Sequence, residues 1–304
     1  MGESTTARIA AVLTCHNRRE RTLECLRSLR AQQAEPGRLF ELVVHLVDDG
    51  STDGTGEAVG REFPEATVIA GNGDLYWAGG MRRAMESALP GAYDYYLWLN
   101  DDTRLDDGAV ATLLRTHARV SGGAAAIVVG SIRDPATGAL SYGGVVRVSR
   151  LRPMLFRRVQ PRPEPQRCDT MNANAVLVPA AVVERVGNLD RAFVHATADF
   201  DYGLRARRQG VEIWTTPEFV GECSPNPVAP WDNPALTLRQ RWKHLTGAKG
   251  LPPRAWRVFA RRHGGPLWPV YWAAPYLRLA LASVAGRGAW TDARASRGES
   301  PAPR

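Results

Sequence analysis

Residues 41–55 read ELVVHLVDDGSTDGT. A mostly apolar, valine-rich run stops at Asp48 and Asp49, and Gly50-Ser51 follows. The run predicts a buried strand over 41–47, and STDGT predicts a turn opening into a helix. The fold turns on whether this unit, a strand ending in polar groups and then a helix, repeats.

It repeats along the first part of the chain. RIAAVLT (8–14) ends at Cys15-His16-Asn17, and Leu23, Leu26 and Leu29 give residues 19–33 helical spacing. VIA (68–70) is a short strand, followed by the Gly-rich GNGDLYWAGG and a helix over 80–89. YYLWLNDDT (95–103) closes a strand over 93–99 at Asn100, Asp101 and Asp102. A helix over 105–119 and the strand AAAIVVG (124–130) come next. Strands alternating with helices predict a parallel α/β sheet. Ligands bind such sheets beyond the carboxyl ends of the strands, where all three polar clusters fall.

Residues 140–180 differ. LSYGGVVRV and NAVLVPA predict strands, joined by RLRPMLFRRVQPRPEPQRCD, whose prolines predict an extended, irregular connection. A helix is expected over 180–187. FVHATADFDYGLRARRQG (193–210) predicts a loop running into a helix that Gly210 ends, and VEIWTTP (211–217) a last strand. The proline-rich SPNPVAPWDNP that follows marks a boundary between a domain at 1–224 and a helical extension at 225–304.

The 304 residues are 44% hydrophobic and 23% charged, as in ordinary globular proteins. The net charge of +8 sits in the extension: residues 226–304 hold 13 Lys+Arg against 3 Asp+Glu, and six of the nine tryptophans. A basic, Trp-rich segment suggests an anionic partner: a membrane surface, a phosphorylated lipid or nucleic acid. Peripheral membrane contact is one expectation. The alternative is a helical subdomain packing its tryptophans on the core, or on a second subunit in a homodimer. No CxxC pair occurs among the four cysteines, and MGESTTARIAAVLTC lacks the apolar core of a signal peptide, so a cytoplasmic protein is expected. PLWPVYWAAPYLRLALASVAG (266–286) comes nearest to a membrane span, but prolines and Arg278 interrupt it.

Each polar cluster has a chemistry and a plainer alternative. Asp48 and Asp49 could accept hydrogen bonds from a nucleobase imide or a ribose hydroxyl; Asp-Gly pairs also simply make turns. No GxGxxG follows the first strand, which argues against a nicotinamide or flavin enzyme. Asn100-Asp101-Asp102 offers oxygen ligands suited to Mg²⁺ or Mn²⁺; otherwise Asp102 or Thr103 caps a helix. Asp199 and Asp201 stand beside His195 at the mouth of a helix, where a carboxylate could deprotonate an acceptor hydroxyl. Otherwise they cap that helix and pair Asp201 with Arg205, and His195 is a hydrogen-bonded loop residue.

Taken in order, VDDGSTDGT, a hydrophobic strand ending NDD-T, and D-x-D before an R-x-R-R-x-G helix resemble family 2 of the glycosyltransferases, over about residues 7–224. The resemblance implies the GT-A fold, a single Rossmann-like mixed sheet flanked by helices. It also implies inverting, non-processive transfer from a nucleotide-sugar donor to an acceptor hydroxyl, on a lipid-linked saccharide, a polysaccharide precursor or a small glycoside. The activity would be hexosyl- or deoxyhexosyl transfer, the rhamnosyltransferase-like branch included. By the same resemblance Thr14, Cys15, His16, Asn17, Asp48 and Asp49 would hold the nucleoside. Asn72, Gly73, Gly79 and Gly80 would lie along the donor. Asn100 and Asp101 would flank it, with Asp102 facing a divalent metal. Asp199 falls at the catalytic base, with Asp201 behind it. Trp77 and His195 would border donor or acceptor, and Trp98 would either do so or sit in the core.

Three departures stand out. Asn100 replaces the commoner leading Asp, Cys223 lies about where a metal-facing His is often found, and only Arg241-Trp242 remains of the Q-x-x-R-W of processive synthases. Two rivals are a sugar-nucleotide nucleotidyltransferase and a nucleic-acid-binding protein. The first lacks its Gly-rich activation loop, since TCHNRRERT stands there. The second leaves the strand-end carboxylates unexplained.

Overall fold

The computed structural model describes residues 6–34, 40–122, 125–149, 151–226 and 229–284. The βα units form as expected: β1 (Ala7–Cys15), α1 (Arg19–Ala31), β2 (Phe40–Asp48), α2 (Thr55–Glu62), β3 (Thr67–Ala70), α3 (Tyr76–Ala88) and β4 (Tyr95–Leu99). Next come β5 (Arg104–Leu105), α4 (Ala109–Ser121), β6 (Ala126–Arg133), β7 (Leu140–Tyr142) and β8 (Gly144–Ser149). β9 (Arg152–Arg158), β10 (Gln166–Arg167), β11 (Thr170–Met171) and β12 (Ala175–Pro179) follow. The remainder is α5 (Ala180–Val186), α6 (Ala198–Arg208), β13 (Glu212–Glu222), α7 (Leu238–Thr246), α8 (Pro253–His263) and α9 (Trp268–Val284).

The main sheet runs β10-β13-β6-β12-β4-β1-β2-β3, with β5 on β13 and β7 on β6. β1 through β4 pair in parallel, but β12 lies between β4 and β6, antiparallel to both. The parallel expectation is therefore half right. β6 points the same way as β4, yet a strand from much later in the chain separates them. Strand order reverses at β1, whose neighbours are β2 and β4. That reversal opens a crevice at the carboxyl ends of β1 and β4.

Period-two alternation places the core. Ile9, Ala11 and Leu13 of β1 join one cluster with Leu26, Leu97 and Leu113, on the face covered by α1, α2 and α4. Ala10 and Val12 join the other, with Trp98, Val176, Tyr202 and Phe259, under α3, α6 and α8. Each fully buried Leu, Ile or Phe stabilises by about 1.5–3 kcal/mol. Trp98 is fully buried against Tyr202, ring centroids 4.6 Å apart, so it is a core residue and not an aromatic wall of the site.

Two further expectations change. The Arg/Pro-rich connection contains a strand, β9, which with β8 and β11 forms a separate three-stranded sheet. Pro153 fits there because β9 pairs on one side only, and edge strands are where a sheet tolerates a missing N–H. LSYGGVVRV is two strands: β7 stays on the main sheet and β8 leaves it.

In the extension, Trp256 is buried, and Trp231, Trp268 and Trp272 are half-buried. Trp256 stacks on Phe259, ring planes 13° apart. Trp290 lies outside the described residues. No described helix is long and apolar enough to cross a membrane.

Candidate active site

The loops after β1, β2 and β4 are stitched into one floor. Asp49 N–H donates to the Cys15 carbonyl at 2.9 Å, and His16 Nδ1–H donates to the Asp49 carbonyl at 2.6 Å. Asn17, in the left-handed region at φ 51°, takes the Thr52 N–H on Oδ1 at 2.7 Å. Its carboxamide therefore holds one loop to another. Cys15 is buried, which pushes its thiol well above the ordinary range.

The two aspartates of β2 divide their work. Asp49 is 3% exposed; its carboxylate takes the Gly73 N–H at 2.9 Å on Oδ1 and the Tyr76 N–H at 2.8 Å on Oδ2. It shapes the 71–76 loop and the entry to α3. Half-buried Asp48 takes the Ser51 N–H at 3.0 Å. Asn72 is exposed and closes an Asx turn on Asp74 N–H, with Gly73 beside it at φ 90°. Gly80 does not lie along this surface. It is buried in α3, and a Cβ there would meet Thr14 Oγ1 at 2.1 Å. Its lack of a side chain lets α3 approach β1, so Gly80 and Thr14 form a packing contact.

At the end of β4 stands a group that sequence reasoning did not single out. Arg18 Nη1 lies 3.1 Å from Asp101 Oδ1 and 2.8 Å from Asp102 Oδ2. One guanidinium thus bridges the adjacent carboxylates and offsets their repulsion. Asp101 is buried, and its Oδ2 has no hydrogen-bond partner among the described residues. Burial, with the Asp102 charge, pushes its carboxyl up to about 7 against the pull of Arg18. Cys223, on the strand end facing this loop, points its thiol at Asp102 Oδ1, 3.5 Å away. Burial and the Asp102 charge raise that thiol to about 12, so it is a protonated donor. The helix-cap alternative for Asp102 or Thr103 does not hold: α4 begins at Ala109, after Gly108.

Trp77 ties this corner to the loop before α6. Its indole N–H donates to Asn100 Oδ1 at 2.8 Å, and its backbone N–H to His195 Nδ1 at 3.4 Å. His195 is held neutral; burial, with Lys249 and Arg18 adding, lowers its pKa to about 4. Asp199 opens α6. It accepts its own helix's Phe200 N–H at 2.8 Å and the Ala173 N–H, and burial raises its pKa to about 7. The residue after Ala173, Asn174, accepts the Asn100 N–H on its carbonyl at 3.1 Å. The 173–174 turn therefore touches both Asp199 and the acidic corner.

Asp201 is completely buried, which removes it from the acceptor-side candidates. Arg205 binds it at 2.9 Å, as its i,i+4 spacing predicts, and α8 adds His263 Nε2 at 2.8 Å and Arg262 Nη1 at 3.2 Å. Arg262 also reaches Asp190 at 2.6 Å. Nothing local in the sequence reveals Arg262 or His263 as partners, because they lie some sixty residues downstream. Arg18 did leave a trace, as a cation directly after the β1 polar cluster.

Whether these residues suit a divalent cation depends on their donors. Among the described residues no three His, Cys, Asp or Glu side chains converge on one point. Mg²⁺, however, is held by one or two carboxylates and completed by substrate phosphates. Asp102 and the unpartnered oxygen of Asp101 fit that mode, with Arg18 as the counter-charge a dication would share or displace. A separate cavity of about 330 Å³ near the start of β4, lined by Pro90, Tyr93, Tyr96 and Glu184 among others, contains none of these groups.

Residues 10–176 match the family model described as Glycosyl transferase family 2. The chain belongs to that family. Two solved structures share its GT-A fold. One is the mannosyltransferase PcManGT from Pyrobaculum calidifontis in complex with GDP-Man and Mn²⁺: TM-score 0.52, 18% identity, covering 94% of this chain and 78% of that one. The other is S. aureus TarS 1–349 in complex with UDP: TM-score 0.50, 13% identity, covering 84% and 70%. At such identities the likeness concerns the fold. No curated protein matches the chain.

Proposed function

We propose that this family 2 glycosyltransferase moves a hexosyl or deoxyhexosyl group from a nucleoside-diphosphate sugar to an acceptor hydroxyl, inverting the anomeric centre. One observation carries the reading: Asp199, with a pKa raised to about 7 and no ion-pair partner among the described residues, is joined through Ala173 and Asn174 to the Asn100-Asp101-Asp102 corner. A carboxylate poised near neutral pH suits a general base.

Asp199 takes the proton of the acceptor hydroxyl. The oxygen attacks the anomeric carbon as the bond from that carbon to the diphosphate oxygen breaks, and the electron pair leaves with the nucleoside diphosphate. Arg18 supplies positive charge beside the departing diphosphate, where pre-placed charge lowers the barrier most. Asp48, Asn72 and Gly73 line the donor side. Trp77 fixes Asn100, and neutral His195 borders the acceptor. A Mg²⁺ or Mn²⁺ held by Asp102 would supply Lewis-acid neutralisation of the diphosphate.

A thermal-shift screen over nucleoside diphosphates and sugar nucleotides tests the donor, since ligand binding raises apparent stability. NMR of the product tests inversion. Release of pyrophosphate instead of a nucleoside diphosphate would overturn the proposal in favour of nucleotidyl transfer.

A further inference from the structure

In the extension α8 turns its large aromatics inward, while α9 turns three aliphatic side chains outward. Trp256 and Phe259 of α8 are buried in the core, while Val270, Leu277 and Leu281 of α9 are 61%, 58% and 64% exposed. Their spacing of seven and four residues places them on one helix face. Leu267, just before α9, is 59% exposed. A second element continues this surface. Leu151, at the turn between β8 and β9, is 87% exposed, and the Tyr271 hydroxyl of α9 donates to its carbonyl at 3.4 Å. Two segments over a hundred residues apart in sequence thus bring bare aliphatic side chains together. Water-facing clusters of this kind mark binding surfaces.

Charge identifies the occupant. From Asn233 to Val284 the chain holds nine Lys and Arg and no Asp or Glu. On α8 the buried face is opposed by Arg254, Arg257 and Arg261, all exposed and at i, i+3 and i+7. Arg152 is exposed beside Leu151, and Arg278 beside Leu277. Aliphatic residues ringed by cations match the acyl boundary and phosphate layer of an anionic bilayer. A second copy fits poorly, because a two-fold contact sets the same cationic patch against itself. Nucleic acid fits this face poorly, because its leucines and valine offer no ring for bases to stack on; the exposed tryptophan of the extension, Trp242 at 44%, stands on α7 instead.

We infer that the α8–α9 face and the β8–β9 tip form a peripheral docking surface for anionic phospholipid. The surface is coupled to the body, since α8 also supplies Arg262 and His263 to buried Asp201. The inference stands independently of the role given to Asp199.

Co-sedimentation tests it, using the full chain with vesicles of phosphatidylcholine alone or mixed with phosphatidylglycerol. The chain is expected to pellet with the mixed vesicles, to stay in solution with the neutral ones, and to be released by high salt. Combined Leu151→Glu, Val270→Glu and Leu277→Glu is expected to reduce pelleting at least about tenfold, each charge opposing insertion. Arg257→Glu with Arg261→Glu is expected to weaken it with the apolar residues intact. Thermal stability and the nucleotide-induced thermal shift should be unchanged in both variants, which separates loss of docking from loss of fold or donor binding. Failure of the wild-type chain to pellet with the mixed vesicles would overturn the inference. So would equal pelleting with both vesicle types, or a dimer in sedimentation velocity that the triple variant abolishes while vesicle binding is absent throughout.

Discussion

His263 Nε2 lies 2.8 Å from Asp201 Oδ1, and both side chains are fully buried. A helix of the extension thus satisfies a carboxylate two residues from Asp199. Burial opposes ionisation of Asp201, but the His263 hydrogen bond and the Arg205 charge hold its carboxyl below the ordinary range. Asp201→Asn should cost about 3 kcal/mol in chemical denaturation, because it leaves Arg205 and Arg262 facing a neutral group. A depressed carboxyl contributes stability above its unfolded pKa and loses it as pH falls through the folded one. Wild type should therefore lose stability below pH about 4 more steeply than the variant. Equal acid limbs would count against the buried pair.

Asp199 behaves in the opposite sense. Its carboxyl is raised to about 7 by burial, so folding favours the neutral form. That contribution is complete below the unfolded pKa and is lost as pH rises through about 7. Asp199→Asn should then be more stable than wild type above neutrality, while transfer falls by at least about a hundredfold, within the range for a lost general base. The nucleotide-induced thermal shift should survive. In wild type, kcat/KM should climb through pH about 7. Near-normal turnover by the variant would remove Asp199 from its role.

Arg18 and a dication should compete for the same carboxylates. With no three-group metal site among the described residues, Mn²⁺ alone should shift the melting temperature little. Mn²⁺ with a nucleoside diphosphate should shift it more than the two separate shifts combined. Arg18→Ala should strengthen Mn²⁺ binding to the nucleotide-free protein, measured calorimetrically, yet weaken diphosphate binding. Tighter diphosphate binding by that variant would contradict the charge assignment.

Trp77→Phe keeps the ring and removes the indole donor to Asn100. Losing a hydrogen bond of about 1 kcal/mol should lower kcat/KM about fivefold with little change in melting temperature. An unchanged kcat/KM would show that Asn100 needs no such anchor.

Strand ends were legible because local patterning writes them. Apolar runs stopping at Asn17, Asp48 and Asn100 read directly as loops at one sheet edge. Long-range pairing was not legible. Nothing within NAVLVPA says that it enters between β4 and β6, and nothing within RLRPMLFRR says that a proline-bearing strand will pair on one side only. Burial was only partly legible. Trp98, which reads equally as wall or core, is core, and Gly80 reads as a donor-loop glycine and is a helix-packing one. In the extension, composition identified cations and tryptophans but not which of its residues face outward.

The placement of β12 also has a consequence for synthesis. A nascent chain that has not yet reached Ala175 leaves β4 and β6 each with a bare hydrogen-bonding edge at the centre of the future sheet. The two halves of the sheet must wait for one another at the ribosome. Pairings so distant in sequence form late. During that interval the exposed edges are where a chaperone would bind, or where aggregation would start.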